Sequence, residues 1–351
     1  MTKVAGLFRR FARISFAVII PALFIWLQGH GTAWAHEVWF VEEGEHAGEH
    51  FSLGLTNLIV VSGAAMFVLL AFAVHRAKWF RNLDSVSEKA QRVLPAGIEW
   101  RTVAVLAGIM LIVNSITGVF LAPDLVLPKG SLTIFGRTVQ MVIGVLLVSQ
   151  FSFVLAALAI VAAAVPVAVV YFPASLLIDY GFEYVSLTLA LVFFGLSSNC
   201  RDRRICTLIK RDPSKFARLP LPTIRVGLGL TMVALSLHYK LVDPNLALTF
   251  LDKYDLNFMP YLGFSGFTNL HFVFAAGVAE VTLGLLLIAG VATRLAAAGL
   301  LVFLFTTLMI LGVGELIGHL PVIGIALVLL YKGAGGFRVA RSAVQSSAEP
   351  A

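Results

Sequence analysis

Long, nearly uncharged apolar segments recur along the chain from residue 53 to residue 332. A segment of about 20 apolar residues is long enough to cross the hydrocarbon core of a bilayer as one α-helix. Hydrophobic residues make up 59% of the 351 residues and charged residues only 13%, which is about half the charged fraction of a soluble domain. These features predict an all-α, polytopic membrane helix bundle. They exclude a soluble enzyme, a disordered chain and a partner role for nucleic acid.

We predict nine membrane-spanning helices after residue 36. Only the polar residues Ser149, Gln150 and Ser152 separate the third span from the fourth. The predicted spans are residues 53–75, 102–122, 134–149, 152–172, 183–197, 222–241, 271–290, 296–316 and 320–332.

The first 35 residues have the order of parts found in a secretory signal sequence. Basic residues come first, an apolar run from Ile14 to Leu27 follows, and Ala33 and Ala35 stand where a signal peptidase cleaves. Cleavage would leave His36 as the first residue of the mature chain. An uncleaved signal anchor is the alternative.

Positive charges concentrate in three segments between or after the spans, namely residues 76–101, residues 198–221 and the C-terminal tail. By the positive-inside rule all three are cytoplasmic, so the mature N-terminus is outside and the C-terminus is inside a bacterial cytoplasmic membrane. An odd number of spans fits this arrangement. Cys200 and Cys206 would then be free thiols in a reducing compartment.

The second half of the chain resembles the first half at a nearly fixed offset. TVQMVIGVLLVSQFSFVLAA, which begins at Thr138, aligns with VAEVTLGLLLIAGVATRLAA at an offset of 140, and LALVFFG resembles IALVLLYKG at an offset of 136. Predicted spans 2–5 and 6–9 both begin and end in the cytoplasm, which is the arrangement of a parallel repeat.

The repeat gives a predicted domain organisation. It comprises a signal segment (1–35), a His-rich exported segment with the first span and a cytoplasmic loop (36–100), a degenerate four-helix repeat (101–200), a basic linker (201–220), a second four-helix repeat (221–335) and a cytoplasmic tail (336–351).

Ionisable residues of the second copy stand where the first copy has amides or apolar residues. The aligned pairs are Glu280 with Gln140, Arg294 with Val154, and His238 with Asn114, the last pair lying thirteen residues after Arg225 and Arg101. An ionisable group within a span costs about 2.5–3.5 kcal/mol on insertion scales. We therefore expect function in the second copy. Sequence drift in a degenerate repeat is the alternative.

The second copy also resembles a known family. RVGLGLTMVALSLHYKLVDP, then GVAEVTLGLLLIAGVATR and GHLP, resemble the DoxX family of four-helix membrane proteins over residues 220–335. The similar parts are an Arg-entered first helix that ends in a Lys, a Glu in the middle of the second helix, a Gly-x-x-Thr-Arg hairpin and a His before the last helix. Family members are similar to small membrane subunits associated with redox enzymes or with oxidative-stress complexes. The resemblance thus implies a fold and a link to redox chemistry without naming a reaction.

The predicted site lies at the outer face of the second copy. Glu280 would lie near the bilayer middle, where it could accept or deliver a proton for a quinone-like ligand, and histidines would carry the proton outward. The predicted catalytic groups are Glu280 and His238; the predicted ligand-binding groups are His271, His319, Glu315, Tyr239, Lys240 and Arg294. The alternative for Glu280 is a pairing with Arg225, Lys240 or a helix end that only holds the bundle together.

Two further hypotheses remain open. A free N-terminal His36 could chelate copper, and His46 and His50 are spaced to lie on one side of a helix, so copper or zinc could bind at the outer face. A solvated polar segment is the alternative. The parallel repeat also fits a proton-coupled transporter, although Pro166 and Pro173 have no equivalent in the second copy. Loop 242–270 is expected to cap the outer site or to bind a periplasmic or membrane redox subunit, and a plain interfacial loop is the alternative.

Overall fold

The computed structural model describes residues 51, 54–76, 97–122, 125–312 and 314–335. This part of the chain is helical, and an isolated antiparallel bridge between Val119 and Val126 is its one β-type pairing. The helices are α1 (Leu55–Arg76), α2 (Ile98–Thr117), α3 (Ser131–Ser149), α4 (Phe153–Ala159), α5 (Val165–Tyr171), α6 (Ala174–Ser198), α7 (Arg203–Leu208), α8 (Pro220–Ser236), α9 (Asn245–Tyr254), α10 (Asn269–Ala289), α11 (Thr293–Leu311) and α12 (Gly314–Lys332). The predicted all-α class is confirmed.

Eight helical segments of the described residues are long and apolar enough to cross a membrane, and α12 adds a shorter apolar stretch, Leu316–Lys332. Many large apolar side chains are exposed on the surface of these helices, among them Leu69, Val169, Val302 and Phe305. A soluble monomer rarely exposes contiguous apolar surface on this scale. The chain is therefore a multi-pass membrane protein.

The break between the third and fourth predicted spans lies where the sequence places it. Helix α3 ends at Ser149, Gln150 adopts a left-handed conformation with φ 55°, and the Ser152 hydroxyl accepts the amide N–H of Leu155 at the start of α4. The buried carboxylate of Asp202 accepts the Ser152 hydroxyl at 2.5 Å and the Phe153 amide at 2.9 Å. A loop far along the chain thus fixes this hairpin.

Two predicted helix starts are wrong in the same way. The fifth span was placed at residues 183–197 but α6 begins at Ala174, and the ninth was placed at residues 320–332 but α12 begins at Gly314. In α6 the acidic residue Asp179 lies in the second turn, and a hydropathy criterion assigns such a residue to a loop. In α12 the predicted start is late because the preceding span is predicted to run to residue 316. Glu315 consequently belongs to α12 together with His319, and not to the end of the preceding helix.

We group the spans by the predicted repeat into two units of four. The first unit contains α2, α3, the α4–α5 segment and α6; the second contains α8, α10, α11 and α12. Helix α6 packs along α8 and α12 packs along α2, so the fourth helix of each unit contacts the first helix of the other unit. An ion pair between Glu99 of α2 and Lys332 of α12, at 2.9 Å, lies at one of these two junctions.

Both units contain the same close approach between their first two helices. A Cβ atom added to Gly108 would lie 2.7 Å from the carbonyl oxygen of Gly144, and one added to Gly229 would lie 2.7 Å from that of Gly284. Gly144 and Gly284 are 140 residues apart, as in the sequence alignment, but Gly108 and Gly229 are 121 apart. His238 therefore corresponds to Thr117, and the alignment of His238 with Asn114 is wrong. The second unit has a longer segment between its first two helices. A single offset therefore cannot align the first helices and the second helices of the two units.

The bundle has two ends, which we name by residues. The His238 end is where α8 finishes and where α6, α10 and α12 begin, and the Arg294 end is where α10 finishes and α11 begins. Helix α9 and the segment up to Asn269 lie at the His238 end, and α9 buries Ala247, Leu248 and Leu251 against Val273 of α10.

Candidate functional site

Glu280 lies on α10 and has two donors from the end of α8. Its carboxylate accepts a hydrogen bond from the Ser236 hydroxyl at 2.5 Å and forms an ion pair with the Lys240 ammonium at 2.7 Å. The side chains of Glu280 and Lys240 are only 18% and 12% exposed. The Lys240 ammonium also lies 5.6 Å from the ring centroid of Phe303 on α11. Three helices of the second unit therefore meet at this carboxylate.

Helix α8 continues directly into a π-helix, Leu237–Val242, which we count as the end of α8. It carries three of the predicted site residues. A π-helix is rare and is frequently found at functional sites. Here two consecutive residues of it reach different neighbours, since Tyr239 bonds to a residue of α6 and Lys240 bonds to Glu280 of α10.

A second polar cluster joins α6 of the first unit to the π-helix. The Tyr239 hydroxyl donates to Asp179 at 2.5 Å, and Nδ1 of His238 lies 3.7 Å from the other oxygen of the same carboxylate. The His238 and Tyr239 rings stack with centroids 4.3 Å apart. The Asp179 side chain is 8% exposed and that of His238 is 49% exposed. The carboxylate is thus enclosed behind a half-exposed imidazole.

Sequence reasoning missed Asp179, although a signal for it was present. The offset of 136 that aligns the last helices of the two copies places Glu315 and His319 over Asp179 and Glu183. The fourth helix of each unit therefore carries an ionisable pair, four residues apart, near the His238 end. The predicted start at residue 183 left Asp179 outside its helix.

The first unit has a neutral counterpart of Glu280. Gln140 is fully buried, and its carbonyl oxygen accepts the Leu121 amide at 2.5 Å. Its amide nitrogen donates to the carbonyl oxygens of Leu111 at 3.1 Å and Val119 at 3.0 Å. Backbone groups alone satisfy Gln140, whereas the described polar contacts of Glu280 are to the side chains of Ser236 and Lys240.

Two of the predicted ligand-binding residues make local structural contacts. His271 forms a capping box with Thr268 at the start of α10, in which its Nδ1 accepts the Thr268 amide at 3.2 Å. Arg294 donates to the carbonyl oxygens of Leu330 and Tyr331 at the end of α12, where a cation complements the helix dipole. Arg294 lies at the opposite end of the bundle from the His238 cluster.

The remaining predicted residues lie in α8 and α12 or outside the described residues. Glu315 and His319 lie in the first two turns of α12, at the His238 end, and His319 is partly buried. Arg225, one proposed partner of Glu280, instead donates to the carbonyl oxygen of Ala334. The predicted metal ligands His36, His46 and His50 lie outside the described residues. Within the described residues, three or more metal-binding side chains do not come together.

Two cavities in the described part of the chain lie away from Glu280. One of about 20 Å³ lies inside the first unit between α2 and α6, where Tyr184 and Thr188 are among its lining residues. The other, about 380 Å³, is an open apolar groove along α11 that is lined by Phe305 and Thr306 among others, and by Ile323 of α12.

Outside the spans, the Tyr261 hydroxyl donates to Asp255 at 3.0 Å in the segment between α9 and α10. This hydrogen bond and the charge of Asp255 raise the pKa of Tyr261 above its usual value of 10.0.

Searches against family models, curated proteins and solved structures gave no match. On its structure, the chain is a multi-pass, all-helical membrane protein whose polar groups cluster between α6, α8 and α10.

Proposed function

We propose that the protein is a membrane subunit that handles protons for a small hydrophobic redox molecule of the quinone type. The observation that supports this proposal is the pair of adjacent polar clusters at the end of α8: Glu280 with Ser236 and Lys240, and Asp179 with Tyr239 and His238. Oxidation of a quinol releases protons, and carboxylates and imidazoles are the side chains that accept them. The DoxX-like pattern of residues 220–335 is part of the same proposal.

The proposed setting is the outer leaflet of a bacterial cytoplasmic membrane. The segment between α6 and α8, at the Arg294 end, contains Arg201, Arg203, Arg204, Lys210, Arg211, Lys215 and Arg218. The positive-inside rule makes that end cytoplasmic. The His238 end, with both polar clusters, then faces the outside, where released protons would leave.

Glu280 has a defined part in this proposal. A carboxylate and an ammonium removed from water keep their charges only while they stay paired, and removing one partner strands the other. Ser236 and Lys240 both donate to Glu280, so its carboxylate acts as a hydrogen-bond acceptor in this site. A proton delivered to Glu280 would weaken its bond to Lys240 and couple proton uptake to a movement at the end of α8.

The test is binding of decylubiquinol, whose hydroxyl groups can donate to a carboxylate, to the purified protein in lipid nanodiscs under anaerobic conditions, measured as the quinol retained after gel filtration. Glu280→Gln keeps the side-chain size and removes the charge. We expect about tenfold weaker binding, because a hydrogen bond to a charged group contributes about 1.5–3 kcal/mol.

The matched control is Glu99→Gln. Glu99 is also a partly buried carboxylate in an ion pair, but it lies at the Arg294 end beside Lys332. Its variant should bind decylubiquinol like the wild type. Lack of binding by the wild type, or equal loss in the two variants, would contradict the proposal.

A further inference from the structure

Asp179 joins the two units at the place where α6 packs against the end of α8. The Tyr239 hydroxyl donates to one oxygen of its carboxylate, and His238 faces the other oxygen. Because the carboxylate side chain is only 8% exposed, a ligand arriving from the membrane or from water meets His238 before it meets Asp179.

The orientation of His238 determines which of its nitrogens a ligand can reach. Nδ1 faces Asp179 at 3.7 Å, and one face of the ring stacks on Tyr239. The His238 side chain is 49% exposed, and no hydrogen bond from Nε2 is found within the described residues. A hydrogen-bonding head group would therefore approach Nε2.

The neighbouring carboxylate also sets what Nε2 can do. In a neutral imidazole one nitrogen carries the proton and the other accepts, and the partner of the first selects the tautomer. A carboxylate beside Nδ1 favours a proton on Nδ1, which leaves Nε2 as an acceptor. The 3.7 Å separation exceeds a hydrogen bond, and catalytic contacts of this kind commonly shorten when the ligand binds.

We propose that His238 is the residue that binds the head group, and that Asp179 and Tyr239 are positioning residues that hold its imidazole as an acceptor. The ligand class is a reduced quinone, because a quinol hydroxyl can donate to Nε2 whereas a quinone carbonyl cannot. This inference rests on the proposed function and adds a preference for the reduced ligand. It also requires the first unit, which supplies Asp179.

The first experiment compares decylubiquinol with decylubiquinone in nanodiscs, under anaerobic conditions. The wild type should bind the quinol about tenfold more tightly than the quinone, since one hydrogen bond to a good acceptor separates them. Asp179→Asn should remove this preference, and His238→Gln should abolish quinol binding. The matched control is Glu183→Gln, one helical turn further along α6, which should keep the preference.

The second experiment measures the tautomer of the His238 imidazole. A merely structural role of Asp179 would leave this tautomer unchanged. Nitrogen-15 spectra of labelled histidine, with His238 assigned by the His238→Gln variant, should show Nδ1 protonated and Nε2 bare in the wild type. In Asp179→Asn the two tautomers should become mixed. Tyr239→Phe keeps the stacked ring and should shift the tautomers in the same direction. If Asp179→Asn does not fold, Tyr239→Phe replaces it as the test variant.

The outcomes separate the two proposals. If the wild type binds neither form of the probe, the proposed function is overturned and the head-group site with it. If the wild type binds both forms equally, or if Asp179→Asn keeps both the preference and the tautomer, only the present inference is overturned.

Discussion

The difference between Glu280 and Gln140 shows how neighbours decide what a buried polar residue can do. Both lie on the second helix of a unit, 140 residues apart. The Gln140 side chain accepts a hydrogen bond from one backbone amide and donates to two carbonyl oxygens. This position therefore requires a side chain that both accepts and donates. Glu280 meets only donors from side chains. The amide is therefore suited to a fixed structural role, and the acid to a site in which every neighbour is a donor.

Replacing Gln140 by the acid of the other unit should therefore fail. In Gln140→Glu the carbonyl oxygens of Leu111 and Val119 lose their donors, so we expect a loss of about 3 kcal/mol in the free energy of unfolding. Unfolding in mixed detergent micelles, followed by circular dichroism, measures this change. The control Thr138→Val, on the same helix but exposed, should stay within about 0.5 kcal/mol. Equal stability of Gln140→Glu and wild type would show that these bonds do not matter.

Tyr261 gives a pH-dependent signal outside the spans. Its pKa is raised by the hydrogen bond to Asp255 and by the charge of that residue. A raised folded-state pKa means that this bond contributes fully below the unfolded pKa of about 10, and that the contribution is lost as the pH rises through the folded value. The ultraviolet titration of wild type minus Tyr261→Phe should have its midpoint above that of a free tyrosine. In Asp255→Asn the midpoint should move back down.

At the scale of helices, the sequence predicted their number well and their ends poorly where acids occur early. In α6 the acidic residue Asp179 lies in the second turn of the spanning helix, and in α12 the acidic residue Glu315 was assigned to the preceding span. Such residues are tolerated there because the structure gives Asp179 the donor Tyr239 from another unit. A hydropathy pattern contains no information about that partner, so the missed helix start and the missed site residue have one cause.

The paired glycines determine how closely the first two helices of each unit approach. A methyl group on Gly284 would lie 2.8 Å from the carbonyl oxygen of Gly229, and backbone cannot move aside as a flexible side chain can. We expect Gly284→Ala to cost about 2 kcal/mol in the free energy of unfolding, as overpacking does. The same detergent unfolding measurement applies.

Gly181 of α6 is the control, because a Cβ added there meets nothing within 4 Å. Gly181→Ala should be neutral or stabilising by up to about 1 kcal/mol, from the higher helix propensity of alanine. A similar response of the two variants would argue against a special role for the close approach.

At the scale of the whole molecule, the fourth helix of each unit packs on the first helix of the other. The sequence repeat predicted two four-helix units but contained no indication of this exchange, which follows from the packing of α6 on α8 and of α12 on α2. One consequence is that the polar cluster of the second unit includes Asp179 of the first. Neither unit would then form the cluster by itself.

A disulfide can test this exchange. A Cβ atom on Gly324 of α12 would lie 3.5 Å from the Cα of Val103 on α2, which is close enough for a bridge. In a Cys200→Ser background, Val103→Cys combined with Gly324→Cys should oxidise to a linked pair, detected by mass spectrometry of the digested protein. Val103→Cys with Gly181→Cys should not link. Absence of the first link, with both cysteines accessible in denaturant, would contradict the exchanged packing.

The sequence by itself determined the helical class, the approximate number of spans, the hairpin at Ser149–Ser152 and the presence of an acid at Glu280. These follow from local chemistry, because a bilayer requires long apolar helices with internally satisfied backbones wherever it is crossed. Only the tertiary structure decided that Lys240 and Ser236 are the partners of Glu280, that Arg294 and His271 cap helices, and that Asp179 faces His238. These are contacts between side chains far apart in sequence, and they depend on how the helices pack, which no periodic pattern along one chain specifies.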